Sequence, residues 1–443
     1  MTHRHHHRLD ARFGRRSFLQ GLGASAFLLP FAGAGWADQE EPRPAQRYVG
    51  LYCNGAWDVL LGPDPRDPAK SYTGIDLGTN ALASAHREPI PVMMAGEEVL
   101  WGPTMASLVP HADVLTLFRG VNMNTVAHAA GRAYVNTFLP PSGVVPKGDS
   151  MGTRMAAAGD YDDLILPNVS VGMPTFNQSF PADVTGVRLS LATEMRDLLQ
   201  PLSDAPLSDE TLAALRAAQD EVEGCVHDQY GTRPVDELRI ARDRMRQLLS
   251  DGYTSAFDLA ADSELITRYG ITNPNAATAP SVVAATVWRL LETGLSRTVT
   301  AQLQAGFDTH GPEWATLQPA RQVAAFDALA ALLTDLRQDD PQLQDTTVVV
   351  FSEFARTPKI NGRGGRDHHF ASSVLVFGGG LRRGVCGATL EETLGLVAID
   401  PITGRPDPAG KVLLPEDIGA TIAAAAGLPT TPFRVEPLDA WIA

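Results

Sequence analysis

Three short segments in the C-terminal half of the chain carry acidic residues and histidines at close spacing. They are GFDTH (306–310), VVVFSEF (348–354) and GGRDHHF (364–370). Carboxylate oxygens together with imidazole nitrogens suit zinc, manganese or iron(II), whereas calcium is bound by oxygen ligands. The three segments therefore predict a site for one divalent metal ion, with zinc or manganese as the expected ion.

The candidate ligands are the acids and histidines of these segments. Asp308 and His310 are two residues apart in a loop, so both side chains can turn toward one cation. A single Asp or His at a strand end is more often a cap or a surface hydrogen-bonding group. The clustering of several such residues favours a metal or catalytic centre, and the candidate ligands are Asp308, His310, Glu353, Asp367 and His368.

The composition is that of a folded protein with a substantial core. The chain has 443 residues, of which 44% are hydrophobic, and this excludes global disorder. The formal net charge of −15 argues against nucleic acid as a partner, because a phosphate backbone attracts Lys and Arg. No later run approaches the roughly 18 apolar residues of a membrane-spanning helix, so the sequence predicts no membrane span in the mature chain.

The first 37 residues have the order of regions found in an export signal. Arg15-Arg16 precedes an uncharged stretch at 21–34 that is too short and too rich in glycine to span a bilayer, and GWA at 35–37 supplies a cleavage point. This arrangement resembles a twin-arginine signal peptide. It predicts a periplasmic or secreted protein that engages the twin-arginine export machinery, with a linker at 38–46 before a single domain at 47–443.

The strand and helix patterns indicate an α/β domain. Apolar, β-rich runs predict strands at 47–53, 112–120, 166–172, 297–305, 346–353 and 373–380. Helical spacing predicts helices within 207–250, broken at 231–234, then at 281–293 and 319–338, and a last helix opening at Pro415. The alternation of strands and helices predicts a mostly parallel central sheet flanked by helices.

This alternation also brings the three segments together. The helix at 319–338 returns the chain in a right-handed crossover, so the strand at 346–353 runs parallel to the strand at 297–305. Glu353 is then expected to lie beside Asp308, at the edge of the sheet where such folds bind ligands. The glycine-rich loop that follows can fold back over the crevice with Asp367 and His368.

The order of these features resembles the metal-binding half of the alkaline phosphatase superfamily, whose members include phosphatases, sulfatases and cofactor-independent phosphoglycerate mutases. The shared order is a strand, D-x-H, a helix with AxFDALxxLLxDL, an apolar strand, an acid and a late DH. More narrowly, the leader and the motifs GFDTH, FSEFxRTP and GGRDHH are similar to an exported bacterial family of unknown function within that superfamily. The resemblance extends over about 47–430 and implies an alkaline-phosphatase-like fold.

The resemblance implies one complete set of metal ligands. Asp308 and His310 match the Asp and His of one metal, and His368 matches its late His. At the second metal's positions, Glu353 stands for an Asp, and Phe354 replaces the His that follows it. A single ion is therefore expected.

The end of the first strand also departs from the superfamily pattern. A ligand Asp of the superfamily aligns with Asn54 in this chain. Asp58, four residues further on, is a candidate substitute for that metal ligand. Two ligands of the second metal are thus altered, which puts a complete two-metal centre in doubt.

The resemblance also implies a nucleophile region. In the superfamily a Ser, Thr or modified Cys lies at the N-terminus of a helix after an early strand, where the helix dipole and free amides favour an anion. Residues 124–132 resemble the mutase-type region, so Thr125 is the candidate nucleophile or, alternatively, a helix N-cap. His128 is then a base or a substrate contact.

Three arginines near the motifs are candidate contacts for an oxyanion; each is otherwise a surface salt-bridge partner. They are Arg132, Arg356 and Arg366.

Two functions agree with these residues. The first is a secreted metal-dependent hydrolase of phosphate or sulfate esters, acting on an anionic small molecule or a glycan. The alternative is a catalytically altered member that binds an anionic ligand, a glycan or a partner protein without hydrolysis.

Residues 175–280 are expected to form a helical cap over the crevice or, alternatively, a dimer surface. The three cysteines allow at most one disulfide.

Overall fold

The structure is a computed structural model that describes residues 46–159, 161, 164–199, 208–230, 233–250 and 253–443. The predicted signal peptide and all but the last residue of the predicted linker lie outside the described residues.

A mixed, mostly parallel sheet forms the centre of the fold. The strands are β1 Arg47–Cys53, β2 Ile90–Met94, β3 Glu97–Trp101, β4 Leu115–Asn122, β5 Asn168–Val171, β6 Val187–Leu189, β7 Thr298–Gln304, β8 Thr346–Phe351, β9 Ala355–Arg356, β10 His368–His369, β11 Ala371–Gly378 and β12 Gly384–Cys386. Eight of them form the central sheet in the order β12-β4-β11-β8-β1-β7-β5-β6. The other four form two separate pairs, β2 with β3 and β9 with β10.

Helices cover this sheet. The α-helices are α1 His128–Thr137, α2 Met151–Ala156, α3 Glu194–Leu199, α4 Asp209–Tyr230, α5 Arg233–Ser250, α6 Thr254–Phe257, α7 Ser263–Tyr269, α8 Pro280–Glu292, α9 Trp314–Asp339 and α10 Pro415–Ala425. The longest 3-10 helix of the described part is Pro103–Val114. The predicted α/β class, with a mostly parallel central sheet between helices, is confirmed.

Each face of the sheet is buried in its own hydrophobic core. Val348 and Val350 of β8 belong to the core that contains α8 and α9, whereas Val349 and Phe351 belong to the core that contains α1 and α10. Successive side chains of a strand point to opposite faces, so a strand buried on both faces reads as a continuous apolar run. This is why TTVVVF is the most hydrophobic strand of the sequence.

One strand of the sheet runs against the others. β11 is antiparallel to both β8 and β4, while β1 is parallel to β7 and β8. Because β11 is reversed, its first residues lie at the edge where β8 ends. The loop between β8 and β11 can therefore remain at that edge, and it brings Asp367 and His368 there.

Two predicted elements have different limits. The strand predicted at 112–120 begins only at Leu115, because residues 112–114 complete the 3-10 helix that packs against α9. The helix predicted from residue 319 begins at Trp314, whose buried indole N–H is held by Asp58, so the helix starts before Pro319. The β2-β3 hairpin was not predicted.

The long helices α4 and α5 lie within the segment predicted as a cap or a dimer surface. They pack against each other, and α5 contacts the 3-10 helix Ala182–Val184. The Arg244 side chain lies 3.7 Å from the carboxylate of Asp183. In the part of the chain that the structure describes, no helix combines the length and apolar character needed to cross a membrane. Cys53, Cys225 and Cys386 are all free thiols.

Candidate metal centre

The carboxyl ends of β1, β7 and β8 meet at one edge of the sheet, because β1 lies between the other two and runs parallel to both. Gly55, just after β1, donates its backbone N–H to Glu353 Oε1 at 2.8 Å. Gly55 has a φ of +112°, and a Cβ there would lie 2.5 Å from the backbone nitrogen of Asp308. Glycine is therefore required for the loops that carry Asp308 and Glu353 to pack this closely.

Asp308 lies at the centre of a histidine cluster. Its Oδ1 is 2.9 Å from His310 Nε2 and 3.2 Å from His368 Nε2. Its Oδ2 is 3.4 Å from His128 Nε2. The Asp308 side chain is 46% exposed, so the cluster is open to solvent.

Two of the histidines are oriented by acceptors at their outer nitrogens. His310 Nδ1 lies 2.8 Å from Asp367 Oδ1, and His368 Nδ1 lies 2.8 Å from the backbone carbonyl of Val126. A carbonyl or carboxylate oxygen can only accept, so we assign the proton of each neutral ring to Nδ1. The two Nε2 atoms, 3.1 Å apart, then face each other and Asp308 with lone pairs.

His128 is the first residue of α1. It faces Oδ2 of Asp308, whereas His310 and His368 face Oδ1. Its Nδ1 lies 2.6 Å from Oε1 of Glu353, whose side chain is fully buried. The other oxygen of Glu353 accepts a hydrogen bond from Ser352 Oγ at 3.0 Å. A Cβ at Gly131 would lie 2.8 Å from Glu353 Cβ, so the glycine allows α1 to approach Glu353 and to deliver His128.

This donor set fits one divalent ion. Ligand atoms of His128, Asp308 and His368 all lie within 4.8 Å of one another, and His310 Nε2 contacts Asp308 as well. Lone pairs that face one another without an intervening proton repel, and a cation removes that repulsion. Imidazole nitrogens with a carboxylate oxygen are zinc ligands, and metal-binding histidines usually have their outer nitrogen held by a carboxylate or carbonyl, as here.

Arg356 holds Asp308 from the protein interior. Its guanidinium is fully buried, and Nη2 donates to Asp308 Oδ1 at 2.6 Å. Nε donates to the carbonyl of Ala56 at 2.9 Å, and Nη1 lies 3.4 Å from His310 Nε2. Its donors are directed at Asp308, at His310 Nε2 and at backbone carbonyls, so in this structure Arg356 orients and neutralises Asp308.

The local charges favour ionised carboxylates. Burial alone would raise the pKa of Asp308, but the hydrogen bond and the positive charge of Arg356 oppose it, and the pKa is held well below its usual range. Burial likewise opposes ionisation of Glu353, and its hydrogen bond with His128 lowers the pKa of Glu353 overall. The same hydrogen bond raises the pKa of His128. A cation at the cluster would oppose that last shift, because it competes with a proton for His128 Nε2.

Asp58 and Arg366 are committed to each other rather than to the cluster. Asp58 Oδ2 lies 2.9 Å from Arg366 Nε and accepts a hydrogen bond from Trp314 Nε1 at 2.7 Å. Both side chains are buried, and the guanidinium of Arg366 lies 4.6 Å from the centre of the Trp314 ring. Arg366 also donates to the backbone carbonyl of Thr357 at 2.7 Å. These contacts hold the loop after β8 against α9.

Neutral groups occupy the positions where the resemblance leads one to expect ligands of a second metal. Asn54 Nδ2 donates to Gln302 Oε1 at 2.9 Å. The buried ring of Phe354 lies 4.9 Å from the His128 ring and 4.7 Å from the His368 ring. Phe354 thus forms an apolar wall against both imidazoles, whose ring centres lie 4.7 Å from each other.

Thr125 lies in a turn just before α1. The N-cap of α1 is Ala127, which makes no side-chain cap, and the Thr125 hydroxyl accepts a hydrogen bond from the backbone N–H of Ala127 at 3.1 Å. Arg132, on α1, has a buried Nε without a hydrogen-bond partner among the described residues. Burial and the negative charge of Glu353 raise the pKa of Tyr52, and the positive charge of Arg132 opposes that shift only in part.

The position of His128 among the ligand atoms was not foreseen, because the sequence suggested a base or a substrate contact. A histidine at the start of a helix that follows a buried strand was the available signal. His369 is directed elsewhere: this half-buried side chain has its Nε2 3.0 Å from the backbone carbonyl of Leu394.

Comparison with known proteins places the chain in a family. Residues 45–405 match the family described as a protein of unknown function, DUF1501. The chain belongs to this family. No curated protein matches the DUF1501 chain.

Solved structures with a partly similar fold are also known. Ps i-CgsB in complex with k-i-k-neocarrahexaose aligns at 9% identity and a TM-score of 0.39, covering 89% of the DUF1501 chain and 75% of its own. A structure concerned with glycosaminoglycan metabolism by Bacteroides thetaiotaomicron aligns at 10% identity and a TM-score of 0.36, covering 89% and 76%.

Proposed function

We propose that the DUF1501 chain is a metal-dependent hydrolase of sulfate or phosphate esters. The observation that carries the proposal is the convergence of three imidazole Nε2 atoms on Asp308 at a solvent-open edge of the sheet. A divalent ion, zinc or manganese, held there would supply Lewis acidity toward an ester oxygen. One ion accounts for all four proposed ligands, which are His128, Asp308, His310 and His368.

The surrounding carboxylates are assigned to orientation. Asp367 and Glu353 each accept from the Nδ1 of a histidine, which keeps the Nε2 lone pair directed inward. Arg356 fixes the rotamer of Asp308 through the hydrogen bond to Oδ1. Glu353 and Asp367 are therefore placed around the ligand set and not within it.

Thr125 is the proposed nucleophile. Its hydroxyl oxygen accepts from the Ala127 N–H, so the O–H proton remains free to leave and the same N–H would stabilise the alkoxide. The free amides at the start of α1 favour a bound anion at this end of the helix. Arg132, one turn into α1, has an unpartnered buried Nε among the described residues and is the proposed contact for an oxyanion.

The substrate class follows from the resemblance to the alkaline phosphatase superfamily and from the cationic contacts. We propose an anionic ester on a small molecule or a glycan. The twin-arginine-like leader supports export to the periplasm or beyond, with the ion acquired before export. Residues 175–280 are proposed to cover the crevice.

Metal content is the first test. Elemental analysis of the wild-type protein is expected to give about one equivalent of zinc or manganese, and His310→Ala to give less than a tenth of that. His86→Ala is a matched control, because His86 lies in a short 3-10 helix outside the cluster. A wild-type protein without transition metal, after loading with zinc and manganese, would refute the proposal.

Activity is the second test. Aryl sulfates and aryl phosphates are assayed with wild type, Thr125→Ala and Thr125→Ser. We expect loss of turnover in the alanine variant, at least partial retention in the serine variant, and unchanged metal content in both. Equal turnover in wild type and Thr125→Ala would remove Thr125 from the mechanism.

The alternative, a ligand-binding member without turnover, is favoured by one observation. Asn54 and Phe354 leave neutral groups where the resemblance leads one to expect ligands of a second metal. A protein that holds one ion and binds inorganic sulfate or phosphate, but turns over neither class of aryl ester, would support this function instead.

A further inference from the structure

A cavity lies at the C-terminal end of α1, away from the proposed metal centre. It has a volume of about 590 Å³, and Leu139 and Pro140, just beyond the end of the helix, are part of its wall. His128 begins the same helix of ten residues, which corresponds to about 15 Å of helix length. The cavity is therefore separate from the metal centre.

The cavity contains a buried arginine whose hydrogen-bonding capacity is unused. Arg154, on α2, is 8% exposed and lines the cavity. Its Nε is buried without a hydrogen-bond partner, and among the described residues no group accepts a hydrogen bond from its guanidinium. A guanidinium has five N–H donors, and a buried charged group whose donors lack acceptors is destabilising.

The acidic neighbour of Arg154 satisfies it only loosely. Asp149 Oδ2 lies 3.6 Å from Arg154 Nη2, beyond hydrogen-bonding distance. Asp149 Oδ1 instead accepts from the backbone N–H groups of Gln178 and Ser179, at 2.5 and 3.0 Å. The Asp149 carboxylate is thus fixed by the backbone. The N–H groups of the Arg154 guanidinium remain available to another acceptor.

The remaining walls are mostly apolar, with basic residues at the rim. The guanidinium of Arg154 lies 5.4 Å from the centre of the Phe433 ring. Lys147 and Arg434 are exposed at the rim. The acidic side chains that face the cavity are Asp149 and Glu416, so three cationic groups face two acidic ones. Other apolar lining residues are Leu139, Phe180, Leu428 and Val435.

We propose that this cavity binds a small organic carboxylate with an aromatic or other apolar body. A planar carboxylate matches the fork of Arg154 in a bidentate manner, and the apolar body contacts the proline and aromatic walls. The nearby Asp149 repels a dianion more strongly than a monoanion. The chemistry therefore favours a carboxylate over a phosphate ester, and so the ligand differs from the proposed substrate of the metal centre.

The probe for this site is 4-fluorobenzoate, with 4-fluorobenzyl alcohol as its neutral counterpart. We measure both by ¹⁹F NMR titration against the full chain. The expected result is that wild type binds the carboxylate at least tenfold more tightly than the alcohol. Arg154→Met is expected to weaken carboxylate binding at least tenfold, while Arg188→Met, an exposed arginine on β6, leaves it unchanged. Equal affinity for the two probes, or equal affinity of wild type and Arg154→Met, would overturn the proposal.

A second variant covers the case in which Arg154→Met does not fold. Lys147→Ser combined with Arg434→Ser removes only exposed rim charges, so the fold should be retained. We expect carboxylate affinity to fall at least threefold and its dependence on salt to weaken, with metal content unchanged. Unchanged affinity and salt dependence in this double variant would contradict the proposal.

Discussion

Glu353 and Asp367 each contact the outer nitrogen of a histidine, at 2.6 and 2.8 Å. The sequence placed both among the candidate metal ligands, because their residue types and spacing are those of ligands. Spacing does not reveal which ring nitrogen a carboxylate will face, since this depends on rotamers fixed by the tertiary packing. The distinction has a measurable consequence, because an orienting group tunes metal affinity whereas a ligand is required for it.

Asp367→Asn is expected to weaken metal binding without abolishing it. The amide oxygen of Asn can still accept the hydrogen bond from His310 Nδ1 but carries no charge. The lone pair of His310 Nε2 therefore becomes a weaker ligand for the metal. We expect a loss of about 10–100-fold in zinc affinity, measured by competition with a chelator. Asp327→Asn, at an exposed position on α9, is the control and should bind zinc like wild type. Complete loss of metal would instead make Asp367 a ligand.

At the scale of elements, the strand–helix–strand order around GFDTH and FSEF was predictable. The apolar strand at 346–351, the crossover helix and the parallel direction follow from periodicity and from the handedness of crossovers. The reversal of β11 was not predictable, because a hydrophobic pattern has no direction. The approach of α1 was also hidden, because it depends on a contact between Gly131 and Glu353 across the fold.

Gly131→Val is expected to separate α1 from the sheet edge. Its Cβ would lie 2.8 Å from both the Cβ and the carbonyl oxygen of Glu353, so His128 would move away from Asp308. We expect at least tenfold weaker zinc binding and a loss of about 1–3 kcal/mol in the free energy of unfolding. Gly224→Ala on α4 has nothing within 4 Å and should be neutral or slightly stabilising. Wild-type zinc affinity in Gly131→Val would show that this contact does not position His128.

Deletion of 208–250 should leave the proposed metal centre in place. This hairpin consists of α4 and α5; Arg244 connects it to Asp183, and Leu248 is buried in the core that contains α8 and α9. We expect unchanged zinc content in the deletion variant, measured by elemental analysis. Because the segment is proposed to cover the crevice, we also expect an altered KM toward large esters. Arg244→Ala keeps the hairpin and serves as the comparison. A deletion variant that folds but binds no zinc would assign the hairpin a direct part in the site.

At the scale of the whole molecule, the two cores on opposite faces of the sheet leave some ionisable groups buried. Glu416 is one, at the start of α10, and it accepts a hydrogen bond from Tyr134 Oη. Burial raises the pKa of Glu416, and the hydrogen bond from Tyr134 offsets only part of that. The folded state therefore favours the protonated acid more than the unfolded state does.

Glu416→Gln is expected to stabilise the protein at pH 7 and to have little effect at pH 4. A raised folded-state pKa means that the glutamate contributes stability below its unfolded pKa of about 4.3, and that this contribution is lost as pH rises through the folded pKa. Glutamine remains uncharged at both pH values, so it avoids that loss. Urea unfolding of wild type and variant at the two pH values measures the difference, and Glu436→Gln at an exposed position is the control. Destabilisation by Glu416→Gln at pH 7 would contradict the pKa direction.

The central position of β1 constrains how the chain can be synthesised and folded. This N-terminal strand pairs on one side with a strand whose register begins at Thr298 and on the other with one that begins at Thr346. Contacts this distant in sequence slow folding, because long loops must close before the contacts form. A nascent chain on the ribosome therefore cannot pair β1 on both sides until β8 has been made, which is about four-fifths of the protein. Until then the backbone N–H and C=O groups at the edges of β1 lack their final partners, and such unpaired strand edges favour aggregation.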